Sequence, residues 1–140
     1  MTVEVVSLPV GDYTAEYKDG TRDKAVVERK GIGDLFHSFT HEYENEKKKI
    51  ERAKEAGLRY ILAIEATAIE VRKGHSYWKD GESHQVKKVG IAQVRQIMTL
   101  HKRGDFDEVW WCSGRIEMAF RIQEYFLAEE RIRAKIKGGS

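Results

Sequence analysis

The stretch Val26-Val27-Glu28-Arg29-Lys30-Gly31-Ile32-Gly33-Asp34 (VVERKGIGD) places a carboxylate, two cations and a second carboxylate directly after a short apolar run. Residues 24–30 read as a β-strand. Side chains alternate across a strand, so Glu28 and Lys30 share one face and Arg29 points to the other. Gly31 to Gly33 breaks the strand, and a helix is expected from Asp34 to Ala56, with Gly57 as its stop.

Upstream, residues 2–8 read as a strand ending at the Pro9-Val10-Gly11 bend, and residues 12–17 as a second strand. With 24–30 they form an antiparallel meander around the polar turn Lys18–Asp23. Downstream, Leu58–Ala66 (LRYILAIEA) is an apolar run of strand length, suited to a strand buried on both faces. Residues 72–88 are polar, glycine-containing and aromatic-studded, and read as a long loop or short hairpin. A helix is expected over 89–102 with Ala92, Ile97 and Met98 inward. A strand is expected over Phe106–Cys112. A last helix is expected over 115–136, with Ile116, Ala119, Phe120, Phe126, Leu127 and Ile132 as its core stripe. The order implies an α/β fold with a mixed sheet flanked by helices.

The chain has 140 residues, the size of one domain; residues 1–137 are read as that domain and 138–140 as a flexible tail. Lys and Arg total 25 against 23 Asp and Glu, so any affinity for a polyanion must come from a local patch. The single cysteine, Cys112, excludes an intrachain disulfide framework and a cysteine zinc site, and fits a reducing compartment. No run approaches a membrane span and no signal peptide is visible, so an intracellular protein without membrane association is expected.

The charged motif has the composition of a metal-assisted phosphodiester hydrolysis site. Asp12, from the neighbouring strand, can join Glu28 as a ligand of Mg²⁺, which takes one or two protein carboxylates and fills its shell with water and phosphate oxygens. Lys30 can orient or deprotonate the attacking water, or neutralise charge in the transition state. Asp34 reads equally as a helix N-cap or as a carboxylate supporting the site. Glu65, the odd charge on an apolar strand, is a possible additional site residue.

Other features carry a bland reading beside the functional one. His37 and His41 are four apart, but Asn45 stands where a zincin-type helix needs its second histidine. Glu46–Glu55 reads as a solvated helix face with internal ion pairs, although Lys47, Lys48 and Arg52 could touch phosphate. Lys73, Trp78 and Lys79, among the cations and aromatics of 72–88, suit single-stranded or frayed DNA. Trp110, Trp111 and Cys112 read as core or interface, and exposed aromatics there or along the last helix would mark a dimer surface.

Gly11-Asp12, then Glu28-Arg29-Lys30, three residues, and Asp34 resemble the signature of the XPF-type (ERCC-four-type) structure-specific endonuclease domain. The flanking Leu8-Pro9-Val10 and Tyr13, Leu35 after Asp34, and the strand Tyr60–Glu65 are similar to the family as well. The resemblance extends over about residues 5–135. It implies a restriction-endonuclease-like fold and Mg²⁺- or Mn²⁺-dependent cleavage of branched, forked or flapped DNA in repair, recombination or replication. It also implies a homodimer or heterodimer through the nuclease domain, in the cytoplasm, or in the nucleus if the source is eukaryotic. By position, Asp12, Glu28 and Lys30 would be the catalytic core, and Arg29 and Asp34 would complete the motif. Two family features are missing: an upstream acidic-arginine motif (VDxRE) and a tandem helix-hairpin-helix domain. The alternatives are a catalytically silent nuclease-like module that binds DNA or scaffolds a partner, and a sequence-specific restriction enzyme on the same fold.

Overall fold

The computed structural model describes residues 4–7, 12–38, 43–73, 76–85 and 87–138. Of residues 4–7, 12, 36–38, 76–79, 83–85, 87–90 and 137–138 it describes the backbone alone. The elements run β1 (Glu4–Ser7), β2 (Asp12–Glu16), β3 (Ala25–Lys30), α1 (Ile32–Ser38), α2 (Tyr43–Glu55), β4 (Arg59–Ile64), α3 (Ala68–Lys73), β5 (Ser76–Lys79), β6 (Glu82–Gln85), α4 (Lys87–Lys102), β7 (Glu108–Trp111) and α5 (Arg115–Gly138).

The main sheet has the order β1-β2-β3-β4-β7. β1, β2 and β3 pair antiparallel, and β3, β4 and β7 pair parallel. The expected meander and the doubly buried strand are both present; in β4 every residue from Tyr60 to Ile64 is buried. A parallel neighbour cannot be reached by a tight turn, so chain must cross over the sheet between β3 and β4 and again between β4 and β7. Both crossovers step in the same direction, and their fixed handedness places both on one face. Leu35, Ile50, Ala53, Val71, Ile97 and Leu100 from α1 to α4 accordingly pack with Tyr60, Leu62 and Ile64 in one core. On the other face, Met118, Ile122 and Phe126 of α5 pack with Ala25, Val27, Ile61 and Ala63 in a second core.

The turn from β2 to β3 is heavily tied. Tyr17 N donates to Thr21 O at 2.8 Å and Asp23 N to Ala15 O at 2.9 Å. Thr14 Oγ1 donates to Ala25 O at 2.8 Å, the Tyr17 hydroxyl donates to Asp23, and the Arg133 guanidinium lies 3.9 Å over the Tyr17 ring.

Of the helix expected over 34–56, the structure describes α1 and α2; residues 39–42, including Phe39 and His41, lie outside the described residues. Other helical expectations need correction. α1 begins at Ile32, so Asp34 sits inside the first turn rather than at the cap; a carboxylate there still faces the positive helix end. In α4, Ile97, Leu100 and Gln93 face inward, while Ala92 and Met98 are exposed. In α5 the inward row is Met118, Ile122, Phe126 and Glu130. Ile116, Phe120 and Ile132 stand in solvent, as does Ala119 in part, and only Phe126 of the expected stripe is fully buried.

The segment 72–88 resolves into the end of α3 and the antiparallel β5–β6 hairpin, separate from the main sheet. The hairpin turns at Asp80-Gly81, both with positive φ (55° and 77°), the backbone pattern that favours an Asp-Gly pair. α3 itself has a legible start that periodicity overlooks. Thr67 Oγ1 accepts from Glu70 N at 3.1 Å and Glu70 Oε1 accepts from Thr67 N at 3.2 Å, a reciprocal capping box. Among the described residues no helix is long and apolar enough to cross a membrane.

Candidate active site at the end of strand β3

β3 alternates as its sequence requires. Its odd-numbered residues Ala25 and Val27 enter the α5-side core, while Glu28 and Lys30 turn toward the face covered by α1–α4. Glu28 is 4% exposed and Lys30 8%. Their register partners across the parallel pairing are Leu62 and Ile64 of the first core, so both charges sit at the edge of an apolar layer. Charges in such surroundings need partners.

Those partners come from α2. Lys30 Nζ donates to Glu46 Oε1 at 2.9 Å and lies 3.3 Å from Glu28 Oε1. Lys49 Nζ lies 3.5 Å from Glu28 Oε1 and 3.6 Å from Glu46 Oε1. Among the described side chains, two carboxylates and two ammonium groups thus form a quartet. Glu46 is 4% exposed, which corrects the reading of Glu46–Glu55 as a wholly solvated face. The missed signal is spacing: Glu46, Ile50 and Ala53 are the buried residues of α2. A carboxylate on the apolar stripe of a helix is an anomaly that a partner must explain.

The electrostatics follow from burial. Loss of water raises the pKa of Glu28, and this outweighs the opposing pull of Lys49 and Lys30; repulsion from Glu46 adds to it. Burial disfavours the charged form of Lys49, but Glu28 and Glu46 together more than compensate and hold its pKa above the usual value. Glu28 Oε2 is buried with no hydrogen-bond partner among the described residues. An unpaired carboxylate oxygen inside a protein is costly.

The structure brings the motif only partly together. Asp12 is the direct register partner of Glu28 across β2 and β3. Arg29 leaves the site: it pairs with Glu65 on the α5 side, where both line a cavity of about 190 Å³ with Tyr13, Arg115, Met118 and Ile122. A hydrogen bond to Tyr13 and the charge of Glu65 raise the pKa of Arg29. Glu65 therefore lies across the sheet from Glu28 and Lys30. Asp34 is exposed in the first turn of α1, near Gly31. Lys47, Lys48 and Arg52 are exposed on α2, the helix that supplies Glu46 and Lys49. Lys73 is exposed at the end of α3. The side chains of Trp78 and Lys79 on β5 and of His37 lie outside the described residues.

A hard divalent cation is the group these donors suit, since carboxylate oxygens are what Mg²⁺ prefers. Among the described residues no three His, Cys, Asp or Glu side chains are grouped to hold a metal by themselves. The orphaned Glu28 oxygen and the need of Mg²⁺ for only one or two protein carboxylates nevertheless fit such an ion.

A mixed sheet with three antiparallel and then parallel strands, helices on both faces and paired charges at the end of the middle strand defines the restriction-endonuclease-like class. Within it, the ERCC4 domain model matches residues 1–124, and the chain belongs to the ERCC4 domain family, the XPF-type nuclease domains that act on DNA. Neither the curated proteins nor the solved structures give a significant match to this chain.

Proposed function

We propose that this domain is a metal-dependent endonuclease that hydrolyses phosphodiester bonds in branched, forked or flapped DNA. The observation that carries the reading is the placement of Glu28 and Lys30 side by side, buried, on one face at the end of β3, with Asp12 opposite Glu28 in register. Carboxyl ends of parallel strands are where open α/β sheets bind ligands. Asp12 and Glu28 would hold Mg²⁺ or Mn²⁺. The bound ion would activate water and offset charge on the phosphate. Lys30 would place its ammonium beside the attacked phosphate, and the exposed Lys47, Lys48 and Arg52 of α2 would track the neighbouring backbone phosphates.

A second reading, a catalytically silent module that binds DNA or scaffolds a partner, draws support from the same quartet, because its two ammonium groups already offset Glu28 and Glu46. Incubation with labelled flap, fork and duplex DNA plus Mg²⁺ or Mn²⁺ separates the two. Cleavage of branched DNA, stopped by EDTA and abolished by Glu28→Ala or Lys30→Ala, is expected. Binding without cleavage under either metal would establish the silent module instead.

A further inference from the structure

We infer that Glu46, delivered from α2, is a metal-ligating carboxylate of this site, and that Lys49 occupies the ion's place in its absence. The inference rests on the metal-dependent reading of the site and adds two residues to it. Two acidic side chains from unconnected elements, Glu28 on β3 and Glu46 on α2, are both buried and converge on the same ammonium group, Lys30 Nζ, at 3.3 and 2.9 Å. Like charges brought together out of water repel strongly unless a cation lies between them. The fold pays that cost twice over, with Lys30 and then Lys49.

The two lysines are not equivalent. Lys30 is rooted on the strand and buried. Lys49 is half-exposed, sits one helical turn from Glu46, and reaches both carboxylates only at 3.5 and 3.6 Å. These are loose contacts, longer than a well-formed charge-assisted hydrogen bond. Its flexible stem can swing to solvent at little cost. Glu28 Oε2 offers a buried lone pair that neither lysine uses. A divalent cation entering between Glu28 and Glu46 would take the position now served by Lys49 and engage that free oxygen. Replacing the Lys49 ammonium by a divalent ion raises the charge of the cluster by one, which favours the approach of a phosphodiester group.

Calorimetric titration of the intact domain with Mn²⁺ tests this without reference to cleavage. Glu46→Gln should weaken Mn²⁺ binding by at least about tenfold, the scale of losing a ligand or its close support, and Lys49→Ala should tighten it several-fold by removing the competing cation. Thermal melting without metal reports whether each variant is folded. If Glu46→Gln does not fold, Lys49→Ala decides alone: unchanged or weaker affinity overturns the inference. Wild-type affinity in Glu46→Gln, with binding lost in Glu28→Gln, also overturns it and leaves the proposed function standing. Absence of Mn²⁺ binding in the wild type would instead remove the metal-dependent reading on which it depends.

Discussion

Arg29 and Glu65 form an ion pair on the face of the sheet opposite to Glu28 and Lys30, although Arg29 stands between those two residues in sequence. Arg29 ends up beneath the site, where it joins the carboxyl end of β3 to the residue that follows β4. The pair is partly buried and is reinforced by the hydrogen bond of Arg29 to Tyr13. The pair thereby helps to fix the strand end that presents Glu28 and Lys30.

Arg29→Ala and Glu65→Ala should each lower DNA cleavage by about tenfold, far less than the loss caused by Glu28→Ala, since supporting contacts carry smaller penalties than reacting groups. Because the two act as one unit, the double variant should be little worse than either single one. Multiplicative losses in single-turnover kinetics would show that they act separately.

Glu28→Gln should melt at a higher temperature than the wild type at neutral pH. The Glu28 pKa is raised in the fold by burial, so the native state binds a proton more readily than the unfolded chain. Its contribution to stability is then fully present below the ordinary carboxylate value and is lost as pH rises through the raised folded value. The gap between variant and wild type should widen over that interval and close below pH of about 4. Equal pH dependence of the two melting curves would contradict this account.

The outward residues of α5 set up an association test. Ile116 is 88% exposed and Phe120 63%, one helical turn apart near the start of α5. Large apolar side chains grouped on one helix end favour burial against a second chain. A dimer is expected in light scattering, converted to monomer by Ile116→Glu with Phe120→Glu. A monomeric wild type at high concentration would leave these residues without that role.

Thr67→Ala removes one half of the α3 capping box and should cost about 1 kcal/mol in urea unfolding. Its neighbours Ala66 and Val71 are buried in the first core, so the loss should appear in the global transition rather than as local fraying. No change in the unfolding midpoint would show that α3 is held by packing alone.

The strands and the Glu28–Lys30 pair were legible because period-two alternation and a long apolar run are decided locally. The helices were less so. In α5, Met118, Ile122 and Phe126 recur at one helical phase and Ile116 and Phe120 at another, and only the sheet decides which phase turns inward. Glu46 was hidden because a run of charges reads as solvated when residues are averaged rather than placed by phase. Its burial is dictated by Lys30, sixteen positions away. Arg29 was legible as facing away from Glu28, but its partner Glu65 could be found only from the parallel pairing that aligns Lys30 with Ile64.

The tied turn between β2 and β3 acts at a distance as a phase lock. Asp12 is the register partner of Glu28 only because β2 and β3 pair in one register, and a slip of one residue would set a different residue opposite Glu28. The bonds Asp23 N to Ala15 O and Thr14 Oγ1 to Ala25 O, with Arg133 clamped on Tyr17, hold that register from the far end of the strands. A single-residue deletion there should therefore move Asp12 out of register with Glu28 while every charged residue of the candidate site stays in the sequence.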